Sequence, residues 1–219
     1  MDANARSVLD SLVSQRIRMR KGEKLFLAGQ KFTALFAVRS GSFKTVLAGD
    51  DGHDQVAGYH MMGDIIGADG IGTDSHDCEA VALEDSEVCR LPFARLEELA
   101  RRNADFQRAL NRLLSREIVR ERYVTRILGS MQADQRLASF LLDLAERYQE
   151  RGYSSIEFVL RMTREEIGSY LGLKLETVSR LCSRFQREGL IQIQGRIVKL
   201  LDRPVLRTIV AGDSVDGDS

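Results

Sequence analysis

With 219 residues, 43% apolar and 29% charged, the chain is long enough for two modest domains and too rich in apolar residues to stay disordered. No run approaches the about 18 consecutive apolar residues of a membrane span, and the first twenty residues carry early charge without an apolar stretch, so a cytoplasmic protein is expected rather than a membrane or secreted one. The formal net charge of zero hides an asymmetry: residues 1–103 hold 13 Lys and Arg against 16 Asp and Glu, and residues 104–211 hold 19 against 13, as if the two halves met different partners.

In chain order, Val8, Leu9, Leu12 and Val13 recur at helical spacing and predict a short helix over 1–15. Short apolar runs follow at 25–27, 35–38, 43–47, 56–59, 81–83 and 88–91, punctuated by ten glycines between Gly22 and Gly72. Many short strands separated by Gly and Asp predict an antiparallel barrel or roll. From Phe93 onward the pattern turns helical, and no proline falls between Pro92 and Pro204. A long helix is predicted over 104–130. Within it Leu114, Ile118, Glu121, Thr125 and Leu128 stand at alternating spacings of four and three, the seam of a two-stranded coiled coil. A second helix is expected over 133–151, stopped by Gly152, and then short helices and two terminal strands. The last eight residues, rich in Gly, Ser and Asp, read as a frayed tail.

The chemistry concentrates at 163–189. Thr163 and Glu166 have capping-box spacing; Ile167 and Leu171 make the inner face of a two-turn helix, and Gly172-Leu173-Lys174 supplies a tight turn. A second helix runs to Glu188 and ends at Gly189. On it Val178, Leu181 and Phe185 share one face, while Glu176, Ser179, Arg180, Ser183 and Arg184 occupy the other. Such a helix-turn-helix can place the second helix in a major groove, where Arg donates to guanine and Glu accepts from cytosine. The runs 191–193 and 197–201 around Gln194-Gly195 predict a winged-helix hairpin. A helical hairpin inside an ordinary core is the bland alternative; the basic half-chain and the hairpin favour DNA binding.

The stretch 162–189 resembles the DNA-binding signature of the CRP/FNR family, and Leu-Glu-Thr-Val-Ser-Arg at 175–180 is similar to its FNR (fumarate and nitrate reduction regulator) branch, with Glu-x-x-Ser-Arg. The glycine-rich roll, the long helix and Ala-Asp-Gln-Arg-Leu-Ala-Ser-Phe at 133–140 fall in family order. The resemblance implies an α+β fold: a cyclic-nucleotide-binding-type β-roll (jelly roll) sensor domain at 1–103, a dimerisation helix at 104–131, a winged helix-turn-helix at 132–211, and a disordered tail at 212–219. It implies base reading by Glu176, Ser179 and Arg180, and phosphate contacts from Thr163, Arg164 and Thr177, with Arg184 assigned there too. The expected target is an inverted TTGAT-N4-ATCAA repeat bound by a homodimer that also touches RNA polymerase, as an activator responding to oxygen or redox state. Leu175 stands where the cyclic-AMP-responsive branch has an arginine, which favours the FNR-type half-site.

What the roll senses stays open. Cyclic-nucleotide members clamp the phosphate with an arginine after a Gly-Glu motif; here the loop begins Gly63-Asp64, and from Asp64 itself to Cys89 there are eight acids but no Lys or Arg. Cyclic AMP is not expected. The FNR-type [4Fe–4S] cluster needs four thiolates; the resemblance makes Cys89 one ligand, yet no cysteine precedes Cys78. Either an upstream extension supplies the others or this branch lacks the cluster, and the alternative for Cys89 is a small buried side chain. Cys182 is expected to pack inward, with a redox-sensitive thiol beside DNA as the sharper idea. His76-x-Cys78 offers weak metal spacing, and His53 reads as a solvated turn residue. Glu121, at the seam, either keeps the dimer marginal and switchable or pairs with a partner's arginine. A regulatory module binding a small molecule other than cyclic AMP is the alternative function. An enzyme is not expected, for the chain has no phosphate-binding loop, nucleophile elbow or His/Glu metal constellation.

Overall fold

The computed structural model describes residues 12–49 and 54–212. The expected first helix, apart from its end, lies outside the described residues, as do His53 and the tail beyond Gly212. The chain divides into two compact units, Met1–Glu121 and Arg122–Ser219, and the division falls inside one long helix.

The first unit is a β-roll of two four-stranded antiparallel sheets. One has β1 (Gln15–Met19), β8 (Ser86–Pro92), β3 (Ala34–Ser40) and β6 (Ile65–Ile66) in that order; the other has β2 (Lys24–Phe26), β7 (Glu79–Ala82), β4 (Ser42–Leu47) and β5 (Gln55–Met61). Side chains alternate along a strand, so Ala34, Phe36 and Val38 of β3 point between the sheets, where they meet Phe26, Phe43, Ala80 and Val88. Leu35 and Ala37 point the other way. With Ile65 and Leu91 they are covered by Leu96 of α1 (Phe93–Arg102) and by Phe106, Leu110 and Leu113 of α2 (Ala104–Ser130). Asn103 separates the two helices, so the predicted helical stretch from Phe93 is broken once. Gln15 already belongs to β1, and the predicted first helix therefore stops short of it.

The second unit holds the end of α2, then α3 (Ala133–Glu150), β9 (Glu157–Val159), α4 (Arg164–Leu171), α5 (Leu175–Arg187), β10 (Ile191–Gln194), β11 (Ile197–Leu200) and α6 (Arg203–Ala211). Its core joins Ile127, Leu137, Leu141, Ile167, Leu171, Phe185, Ile191 and Leu206, all essentially inaccessible to solvent; burying each such side chain stabilises by about 2 kcal/mol. The predicted hairpin forms with Ile191 opposite Leu200, and β9 adds a third strand beside β11. Gly152, with φ of 80°, follows α3 where the sequence places its stop. The helix α6, which packs on α3, was not foreseen, although Asp202 caps it through Val205 N at 3.0 Å and Pro204 sits in its first turn.

Candidate nucleic-acid interface

The local chemistry of α4 and α5 follows from a few residues. Thr163 Oγ1 accepts from the Glu166 amide at 3.1 Å, and Glu166 Oε2 accepts from the Thr163 amide at 2.7 Å, the reciprocal cap that the spacing predicts. Gly172 closes α4 with φ of 62°, a left-handed conformation that costs glycine little, and the Leu173 amide returns to the Gly168 carbonyl at 2.8 Å. Gly168 is the determinant that sequence reading passed over. A Cβ there would lie 2.5 Å from the Leu173 carbonyl oxygen, so the turn can approach the helix only because this position has no side chain.

Beyond the turn α5 divides by face. Val178, Leu181, Cys182 and Phe185 are buried, against a core that includes Ile167 and Leu171. Glu176, Ser179, Arg180 and Ser183 are exposed and Thr177 is half-buried. Among the described residues the side chains of Glu176 and Arg180 make no hydrogen bond or ion pair. Lys174, at the N-cap, gives α5 no side-chain cap, which leaves first-turn amides directed outward at a helix end that favours anions. Thr163 lies at the start of α4 with its hydroxyl proton still available, and Arg164 follows it, half-buried. Arg184 stands apart: its guanidinium pairs with Asp134 at 3.0 Å and with Glu188 at 3.6 Å. An arginine already held twice within the domain is a poor candidate for a phosphate.

The seam residues of α2 have mixed surroundings. Ile118, at 51% exposure, and Val119, at 62%, are open apolar side chains; Glu121 and Thr125 are exposed, while Leu114 and Leu128 are half-buried.

The cysteines do not converge. Cys78 lies in the core between the sheets, where burial first and then the neighbouring Asp69 push its thiol up to about 12. Its Sγ donates to Asp69 Oδ2 at 3.6 Å. Cys89 is half-buried on the other side of β8, between Arg16 on β1 and Ala37 on β3. Cys182 is in the other unit, facing the α5 core; burial raises its pKa and Arg164 offsets this only in part. Inward packing is thus its observed role. Among the described residues no three His, Cys, Asp or Glu side chains gather to hold a metal, so the thiols present do not fit a four-thiolate cluster by themselves. His76 is buried and stacked on Phe26 with ring centroids 3.7 Å apart, its Nδ1 3.3 Å from Asp69.

The loop expected to hold a cyclic phosphate is acidic and internally paired. Asp64 is buried; Oδ2 accepts from the Met61 amide at 2.9 Å and Oδ1 from Arg120 of α2 at 3.2 Å. Arg120 also pairs with Glu117 at 2.9 Å. No lysine or arginine is buried among the described residues of this unit. No helix among the described residues is long and apolar enough to cross a membrane.

A β-roll in one unit and a winged helix-turn-helix with a polar outer helix face in the other define a DNA-binding regulator rather than an enzyme. The Cyclic nucleotide-binding domain family matches residues 16–103 and the Crp-like helix-turn-helix domain family matches residues 135–209. The chain is 47% identical to the transcriptional regulatory protein btr of Bordetella pertussis, over 98% of this chain and 88% of that protein. It is 43% identical to the transcriptional activator protein Anr of Pseudomonas protegens, over 95% and 85% respectively. The structure of FixK2 from Bradyrhizobium japonicum superposes with a TM-score of 0.83 at 29% identity, covering 90% of this chain and 98% of that one. The chain belongs to the CRP/FNR family of DNA-binding transcription regulators, and within it is FNR- and Anr-like.

Proposed function

We propose that the protein binds an inverted TTGAT-N4-ATCAA repeat as a homodimer and activates transcription through contact with RNA polymerase. The observation that carries the reading is the outer face of α5, where Glu176, Ser179 and Arg180 are exposed together above a fully buried apolar face. Arg180 donates two hydrogen bonds to a guanine edge, Glu176 accepts from a cytosine amino group, and Ser179 adds a short polar contact. Thr163, Arg164 and Thr177 hold the flanking phosphates and fix the register. Arg184 has an internal part instead of a phosphate contact, because Asp134 and Glu188 already occupy it.

The dimer is supported by the open Ile118 and Val119 on α2; a two-fold axis matches the inverted repeat. Glu121 is an exposed carboxylate in that seam, placed to weaken the dimer by mutual repulsion. Activation is supported by similarity to the transcriptional activator protein Anr of Pseudomonas protegens. A signal of oxygen or redox state is supported by similarity to a fumarate and nitrate reduction regulatory protein of Salmonella typhi, 37% identical over 92% of this chain and 80% of that protein. A small molecule held in the roll is the second reading; the acidic, internally paired Asp64 loop disfavours an anionic one such as cyclic AMP. Gel-shift titrations on the palindrome and on a scrambled duplex, at several salt concentrations, test the proposal. The palindrome is expected to bind at least about 1000-fold more tightly, with affinity on both duplexes falling steeply as salt rises. Equal affinity for the two duplexes would overturn it.

A further inference from the structure

The first turn of α3 grips both helices of the reading head and the end of α2, all within the second unit. The three guanidinium nitrogens of Arg136 each donate to a different backbone carbonyl: Nε to Met131 at 2.9 Å, one terminal nitrogen to Leu171 at 3.0 Å, and the other to Leu128 at 2.9 Å. Leu128 lies in the last turn of α2, Met131 just beyond it, and Leu171 is the last residue of α4. Carbonyls at helix ends lack partners within the helix and carry partial negative charge. A planar cation with five N–H groups can satisfy several at once, where lysine could reach only one or two. The fit is close: a Cβ on Gly172 would sit 3.2 Å from an Arg136 nitrogen and 3.1 Å from Leu128. Two residues before Arg136, Asp134 accepts from Arg184 in the last turn of α5.

We propose that Arg136 is a positioning residue for DNA recognition: it fixes the angle between the last turn of α2 and the helix-turn-helix, and so sets the half-site spacing the protein accepts. The Asp134–Arg184 pair steadies the same joint from the side of α5. The inference rests on the dimeric reading above. If α2 carries the two-fold axis, each recognition helix is a lever hung from its end. One base-pair step is about 3.4 Å, so a small change of angle at the joint is enough to put the second half-site out of register. Arg136 itself touches no base, and a single half-site should not sense it.

The test compares wild type, Arg136→Gln, Arg136→Lys and Asp134→Asn on duplexes carrying one half-site and on duplexes with the two half-sites two to six base pairs apart. Wild type is expected to prefer one spacing by at least about 10-fold. Arg136→Gln should bind the single half-site within about twofold of wild type while its spacing preference flattens to about threefold or less. Arg136→Lys should fall between them, and Asp134→Asn should flatten the profile less. An unchanged spacing profile in Arg136→Gln overturns the proposal, as does equal loss on single and paired sites, which would mean the arginine merely holds the domain together. If Arg136→Gln does not fold, the near-isosteric Asp134→Asn decides, and an unchanged profile there overturns the proposal too. A wild type with no preference for any paired site overturns the dimeric reading itself and takes the proposal with it.

Discussion

The two units treat their polar side chains in opposite ways. In the roll, Asp64, His76 and Cys78 are turned inward and engaged by neighbours. Asp64 holds the Met61 amide and Arg120, His76 lies against Phe26 and Asp69, and Cys78 donates to Asp69 from within the core. In the winged helix the apolar residues of α5 are buried, while Glu176 and Arg180 are left exposed without internal partners. A face kept charged and unpaired beside a well-packed core is built to meet something outside the molecule. Groups already paired inside are spent on the fold, and among the described residues of the roll no lysine or arginine is buried to clamp an anion.

The largest effect that bears on this contrast is expected at Gly168. Alanine there gains about 1 kcal/mol of helix propensity but meets the Leu173 carbonyl oxygen 2.5 Å away, and overpacking of that kind costs about 3 kcal/mol. A net loss of about 2 kcal/mol in urea unfolding is expected, with weaker DNA binding because the turn opens. A stabilised Gly168→Ala variant would show that the close approach is not what shapes the reading head.

A smaller effect separates the thiols. Burial raises Cys78 above its ordinary value of 9.0, to about 12. The folded state therefore holds this proton where the unfolded chain gives it up. The stabilisation is complete below pH 9 and is lost as pH rises toward about 12. Cys78→Ala should flatten the alkaline fall in stability seen in the wild type. In the native protein at pH 8 a disulfide reagent should label half-buried Cys89 ahead of Cys78 and Cys182. Rapid labelling of Cys182 would restore the redox-thiol idea.

Much of the fold was legible because its signals are local. The Thr163–Glu166 cap, the glycine at 172 and the 3-4 spacing of Val178, Leu181 and Phe185 all act within a few residues, and the helix-turn-helix follows from them. The strands at 35–38, 43–47 and 88–91 were legible from apolar runs between glycines. The two-residue β6 was too short to show a period, and β1 was hidden by exposed arginines at Arg16 and Arg18. The helix α6 was missed although Asp202 and Pro204 mark its start. Gly168 and Arg136 were invisible for a different reason. Their partners are backbone carbonyls, at Leu173 for one and at Leu128, Met131 and Leu171 for the other, and carbonyls leave no mark in residue types. The face of α5 could be read in the sequence; the joint that aims it could not.

The central claim, that the exposed face of α5 reads bases, is tested most directly by Arg180→Ala. Its affinity is measured on the palindrome and on scrambled DNA at one salt concentration. A bidentate contact to guanine is worth about 1–3 kcal/mol of discrimination, and each dimer would lose two. Palindrome affinity should fall by at least about 30-fold while affinity for scrambled DNA falls no more than about threefold. An equal drop on both duplexes would contradict the account, because Arg180 would then be touching only phosphate.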